Sequence, residues 1–224
     1  MIEFHQAGFS FGRNPVLHGL DLVLEPGDFT FVYGPSGSGK TTLMRLAHLD
    51  LATETGEVRF WGRSVEASDR DAVADLRASI GVVHQDCPFL DHLSVFENVA
   101  LPLHVHGIDL ASRREDLDAL LEWVDLTDRM DALPRELSGG ERQRAALARA
   151  VILSPEVILA DEPTAAADHD MALRLLALLA ELNRMGKTVV IATHDAALIE
   201  AARERVPARV LRLADGRLHP EEAW

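Results

Sequence analysis

The sequence predicts an α/β fold with a mainly parallel core sheet, a small antiparallel β-lobe and an inserted helical subdomain. Three observations carry that expectation. Short apolar runs at residues 29–33, 80–84, 157–160 and 188–193 lack polar alternation, as strands do when both faces of a parallel sheet are covered. A glycine-rich loop follows the first run and opens a helical pattern. From about residue 91 to about 137 the periodicity is helical, with no convincing strand.

A chain of 224 residues can bury one sizeable core, so a single domain over 1–224 is expected. Residues 1–85 and 138–224 would form the α/β core with its β-lobe, and residues 86–137 the helical subdomain. The net charge of −14 argues against a sequence-independent grip on nucleic acid and favours a protein partner. Cys87 is the lone cysteine, which excludes an internal disulfide framework and suits a reducing compartment. No run reaches the roughly 18 apolar residues of a membrane span, and Met1-Ile2-Glu3-Phe4-His5 lacks the features of a signal peptide. A cytosolic chain able to dock on a membrane protein is the expectation.

In chain order, short strands are expected near residues 2–4 and 20–24, with a turn at Pro26-Gly27-Asp28. Phe9 and Phe11 lie in a Gly- and Ser-containing stretch, where a ring could stack on a purine or pack in the core. Then comes Gly34-Pro35-Ser36-Gly37-Ser38-Gly39-Lys40-Thr41. Its Gly-x4-Gly-Lys-Thr spacing between strand and helix is that of a phosphate cradle, in which backbone N–H groups and a helix N-terminus face the anion. Lys40 would reach the outer phosphates and Thr41 would hold Mg2+.

A further strand pair is expected around residues 56–62, closed by glycines at both ends. A helix over 69–79 leads to a strand that delivers Gln85 to a sheet edge, where open α/β sheets place their chemistry. In the helical stretch Ser112 and Glu115 have capping-box spacing, followed by Leu117, Leu120, Leu121 and Val124 at i, i+3, i+4 and i+7. Met, Phe and Val on this sub-lobe could receive a partner helix or form its own core.

Ser138 and Glu141 again have capping-box spacing, but Gly139 and Gly140 weaken a first helical turn, and close approach of a phosphate would explain them. Asp161 and Glu162 end a buried strand. One could hold a metal's water shell while the other orients a nucleophilic water. A Leu-rich helix over about 170–185 stops at Gly186, and the next strand brings His194 to the same edge. A hairpin turning at Asp215-Gly216 closes the chain. His104 and His106, two apart, point to different sides of a helix and are unpromising as metal ligands.

In order and spacing these motifs resemble the ATP-binding subunit of ATP-binding-cassette (ABC) transporters over almost the whole chain. The resemblance implies a P-loop ATPase in which Gly34, Pro35, Ser36, Gly37, Ser38, Gly39, Lys40, Thr41 and Thr42 bind ATP, with Phe11 where a base-stacking aromatic, often tyrosine, usually stands. Ser138, Gly139, Gly140 and Glu141 would be the signature that contacts ATP across a homodimer. Glu162 would be the catalytic glutamate and His194 the switch histidine. Gln85 would serve both catalysis and metal, joining Thr41 and, through water, Asp161 around Mg2+. Asp168 would be a dimer contact.

Within the family, Gly81-Val82-Val83-His84-Gln85-Asp86 and Leu213-Ala214-Asp215-Gly216-Arg217-Leu218-His219 are most similar to the cell-division branch. That likeness implies a peripheral location at the cytoplasmic face of the plasma membrane, an integral membrane partner of the FtsX type, and control of cell-wall hydrolases. Lipoprotein-release and macrolide-export branches share several of these phrases. Two departures stand out: Ala165-Ala166-Ala167-Asp168 replaces the usual Gly-Asn-Leu-Asp, and His84 replaces the common Phe. A DNA-maintenance ABC ATPase would need a longer insertion and a more basic chain, and intact Lys40, Asp161, Glu162 and His194 speak against a non-catalytic scaffold.

Overall fold

The computed structural model describes residues 1–65, 69–165 and 168–220. The chain opens with β1 (Ile2–Phe11) and β2 (Asn14–Leu24), an antiparallel pair. Both strands are longer than the short ones their sequence suggests. Register shifts between Phe4 and Ser10, with Gln6 at φ 48°, absorb the breaks in alternation without ending the strand. β3 (Phe29–Tyr33) leads through the glycine-rich loop to α1 (Lys40–Ala47). β4 (Thr55–Phe60) and β5 (Arg63–Ser64) complete a four-stranded antiparallel sheet in the order β2-β1-β4-β5. Gly56 lies inside β4 and Gly62 in the turn to β5, so these glycines bend the pair and do not bound it.

α2 (Arg70–Ala78) starts where the Asp69 carboxylate accepts from the Ala72 N–H at 3.1 Å, and it feeds β6 (Ile80–Val83). α3 (Val95–Val105) and α4 (Arg114–Trp123) follow, with short 3-10 turns at Leu110–Arg113, Thr127–Arg129 and Pro134–Glu136. The expected Ser112–Glu115 capping box does not form. Asp109 caps the 3-10 turn, the Ser112 hydroxyl donates back to the Asp109 carbonyl at 2.6 Å, and α4 starts without a side-chain cap. Ser94 and Glu97 form a full capping box at α3 instead.

α5 (Gly139–Val151), β7 (Val157–Asp161), α6 (His169–Arg184), β8 (Thr188–Thr193), α7 (Ala196–Arg203), β9 (Arg209–Ala214) and β10 (Arg217–Pro220) complete the fold. The second sheet has six strands ordered β10-β9-β3-β8-β7-β6, and only β10 runs antiparallel to its neighbour. Its hairpin turns through Asp215 and Gly216, both at positive φ.

Alternate residues of the parallel strands face two cores. Phe29, Phe31, Ile158, Ala160, Val189 and Ile191 meet α5, α6 and α7. Val32, Val157, Leu159, Val190 and Ala192 meet α1 and the antiparallel sheet. Burying a Phe or Leu side chain this fully stabilises by about 1.5–3 kcal/mol, which is why these strands read as continuous apolar runs. A third core joins α3 and α4 to Ala145 and Ala148 of α5 and to Ile152 at its end. α5 is therefore shared, since Ala146, Leu147 and Val151 face the sheet. Among the described residues no helix is long and apolar enough to cross a membrane.

Candidate active site

Parallel strands place their carboxyl ends at one edge, so Tyr33, Val83, Asp161 and Thr193 hand the chain to the same rim. The loop after β3 is anchored there. The Gly34 N–H donates to the Thr193 carbonyl at 3.3 Å and the Ser38 N–H to the Pro35 carbonyl at 3.2 Å. A side chain at Gly34 would come within 2.5 Å of the Leu213 carbonyl. Gly39, at φ 103°, caps α1, and a β-carbon there would press at 3.0 Å on Leu17 and Val16. No side chain caps the first turn of α1 and no acidic residue sits in it, so its N–H groups face outward past exposed Pro35, Ser36 and Gly37.

Lys40 is buried under this loop and donates to the carbonyls of Gly34 at 2.8 Å and Pro35 at 3.1 Å. Its ammonium also pairs with Glu162 Oε1 at 3.1 Å. Glu162 follows directly on β7, with its N–H on the Ala192 carbonyl at 2.8 Å and a left-handed φ of 47°. That backbone turns its carboxylate between two elements. Oε1 meets Lys40, and Oε2 meets His194 Nδ1 at 2.9 Å and the His194 backbone N–H at 3.4 Å. Three polar side chains, one from α1 and two from just beyond β7 and β8, thus converge.

The two carboxylates at the end of β7 have opposite tendencies. Burial pushes the Asp161 carboxyl up, a hydrogen bond from Thr41 opposes this, and the neighbouring Glu162 charge raises it further. Burial would also raise Glu162, but hydrogen bonds from His194 and Lys40 outweigh it and hold that carboxyl below its usual range. Asp161 Oδ1 and Ser38 Oγ are buried and have no hydrogen-bond partner among the described residues. An orphaned carboxylate oxygen beside the Thr41 hydroxyl is a donor set that fits a hard divalent cation.

The remaining expected residues stand apart. Thr42 is buried in α1, whereas Thr41 is exposed at its start. Phe11 is 51% exposed at the end of β1, edge-on to Phe9 with ring centres 5.0 Å apart. Gln85 is exposed just beyond β6, and its side chain makes no hydrogen bond among the described residues. At α5 the capping box forms as its spacing predicts: Ser138 Oγ accepts from the Glu141 N–H at 3.3 Å and Glu141 Oε2 from the Ser138 N–H at 2.7 Å. Gly140 has a packing reason of its own, since a β-carbon would come within 2.6 Å of Met171 atoms on α6. No hydrogen bond or ion pair among the described residues links Ser138, Gly139, Gly140 or Glu141 to Lys40, Glu162 or His194. Asp168 caps α6 by accepting from the Met171 N–H at 2.9 Å, and Ala166 and Ala167 lie outside the described residues. The sequence reading passed over the carbonyls of Thr193 and Leu213, which shape the floor of the loop, because a backbone oxygen leaves no residue-type signal.

Comparison with known proteins places this geometry. The family model described as ABC transporter matches residues 17–165. The chain is 39% identical over 223 residues to the macrolide export ATP-binding/permease protein MacB of Marinobacter nauticus, covering 97% of this chain but only 34% of that relative's length. It is 38% identical over 220 residues to the cell division ATP-binding protein FtsE of Escherichia coli K12, covering 98% of this chain and 97% of that one. Among solved structures, the dimeric post-hydrolysis cassette MJ0796 bound to ADP and Pi matches with a TM-score of 0.87 at 33% identity, covering 99% of this chain and 98% of that one. CbiO1 of Clostridium perfringens, part of the complex cbiONQ, matches at 0.85 and 26% identity, covering 97% and 86%. With the family model matched over most of the chain and relatives matched nearly end to end, the chain belongs to the ABC transporter family and is an ATP-hydrolysing cassette of that family.

Proposed function

We propose that two copies of this chain close around two ATP molecules, each held by the 34–41 loop of one copy and the Ser138 end of α5 of the other. The observation that carries this reading is the separation within one chain: Lys40, Glu162 and His194 meet, while Ser138, Gly139, Gly140 and Glu141 touch none of them. A γ-phosphate has more negative charge than one side of such a site can surround, and a second copy brings the missing donors. The core on 1–85 and 138–224 would hold nucleotide and the helical region on 86–137 would move with closure. Asp168 would meet the second copy.

The residues around the end of β7 fit Mg2+, with Thr41, Gln85 and, through water, Asp161 as its holders. When bound, the ion would neutralise phosphate charge. Backbone N–H groups at the end of the loop and in the first turn of α1, through Thr42, bind and orient the phosphates, and Phe11 offers its exposed ring to the base. An incoming phosphate competes with the Glu162 carboxylate for Lys40 and His194. Once displaced, Glu162 is free to take a proton from the attacking water.

Closure and reopening would push on a membrane partner, with the cassette peripheral at the cytoplasmic face of the inner membrane. The near end-to-end likeness to FtsE supports a partner of the FtsX type and control of cell-wall hydrolysis during division. A second reading, the ATPase of a macrolide-export or lipoprotein-release system, is favoured by the 39% identity to MacB. Glu162→Gln is expected to bind ATP, trap a dimer on size exclusion and slow phosphate release by about 10²–10⁴-fold. Near-normal turnover counts against Glu162 as the base. A pull-down from membranes that recovers an export permease and no FtsX-like protein decides for the second reading.

A further inference from the structure

Resting on the reading above, in which Gln85 serves the metal, we propose that Arg149, acting through Phe89, is a positioning residue that sets where Gln85 stands. Gln85 is exposed and its side chain makes no hydrogen bond among the described residues, so its place is set by the backbone on either side. The segments on either side are both tied to α5. Upstream, β6 lies against the end of that helix: a β-carbon on Gly81 would come within 2.3 Å of the Ala150 carbonyl. Downstream, the Arg142 guanidinium donates to the Cys87 carbonyl at 3.3 Å and that of Arg149 donates to the Pro88 carbonyl. The two guanidinium carbons also stand 5.3 and 4.6 Å from the centre of the Phe89 ring. Phe89 itself packs against both the sheet core and the core of α3 and α4, so it is wedged where the two meet.

The next turn is fixed as firmly. Asn98 is fully buried, accepts from the Leu90 N–H at 2.9 Å and donates to the carbonyls of Leu90, Leu93 and Ser94. Between β6 and this anchored stretch lie exposed His84, Gln85 and Asp86, in a turn closed by the Cys87 N–H on the His84 carbonyl at 3.1 Å, with Cys87 taking up the bend at φ 41°. A shift of α5 therefore moves Gln85 with it. The helix that presents Ser138 to a second copy and the glutamine that serves the metal become one mechanical unit. Arg149 lies 11 residues beyond Ser138, about 16 Å along the helix, so its influence on hydrolysis has to run through the loop it holds.

The test is a double-mutant cycle on the full chain with its membrane partner, reading kcat, the Mg2+ concentration for half-maximal hydrolysis, and binding of a fluorescent ATP analogue without Mg2+. Arg149→Ala and Gln85→Ala are each expected to lower kcat about ten- to a hundredfold and to raise the Mg2+ requirement, with metal-free nucleotide binding unchanged. Their combination should be no worse than Gln85→Ala alone. Phe89→Leu should give the same pattern more mildly and Phe89→Tyr, which keeps the ring, should restore it, so the outcome does not hinge on whether Arg149→Ala folds well. Additive losses, or Arg149 and Phe89 variants with a normal Mg2+ requirement, overturn the inference while leaving the role of Gln85 intact. A wild-type rate for Gln85→Ala overturns that role and the inference with it.

Discussion

Two helices of the molecule begin on glycine and finish their first turns in opposite ways. α1 starts at Gly39 with no side-chain cap and no acidic residue in its own first turn, and adds the Lys40 ammonium beneath the loop. α5 starts at Ser138 with a complete capping box, and Glu141 places a negative charge in its first turn. Exposed N–H groups and a cation make the first a grip for phosphate in a single chain. Only the N–H groups of Gly139 and Gly140 remain open at the second, behind an acid, so it serves an anion already held elsewhere. On the proposed reading this difference sets an order: nucleotide settles on α1 first, and α5 of the other copy closes over it.

Lys40→Ala strikes the first helix and has the largest expected effect. Loss of the cation should slow phosphate release by about a hundredfold or more and weaken nucleotide binding by a single chain, read by a fluorescent analogue. Unchanged binding would erase the distinction between the two helices. Ser138→Ala should lower stability by about 1 kcal/mol in denaturant melts and reduce hydrolysis, with single-chain nucleotide binding as before. Equal damage to both would mean that α5 contributes to the first grip.

Acid provides the smallest and sharpest contrast. The Ser138 backbone N–H, then its hydroxyl, hold the Glu141 carboxyl below the usual carboxylate range, and the nearby Arg129 adds to this. A group whose folded pKa is depressed contributes stability that is present above the unfolded value, about 4.3, and is lost as pH falls through the folded one. The protection of amides in the first turn of α5, relative to their intrinsic exchange rates at each pH, should therefore fall on acidification through that range. The first turn of α1 has no carboxylate in its cap, so acid reaches it only through Glu162, whose depressed carboxyl is held by His194 and Lys40.

Much of the frame was legible because its signals are local. The runs at Phe29–Tyr33, Val157–Asp161 and Thr188–Thr193 are buried on both faces, and apolar continuity reports that directly. Ser138 and Glu141 cap as their spacing says, whereas Ser112 and Glu115, with the same spacing, do not, because Asp109 started an earlier turn and took the hydroxyl. β1 was read too short because bulges hide a strand from a period-two pattern. At the rim, the residue types at 34–41, 161, 162 and 194 were readable. The engagement of Glu162 by Lys40 and His194 was not: it depends on strand order and on a left-handed backbone at Glu162 that no pattern announces.

Gly140 leaves room for Met171 and so lets α5 lie directly against the first turn of α6, which Asp168 caps. The two segments proposed to greet the second copy are thus seated on one another inside a single chain. They form one jaw, and a methyl group added at position 140 would have to displace the Met171 side chain that fills the seam between them.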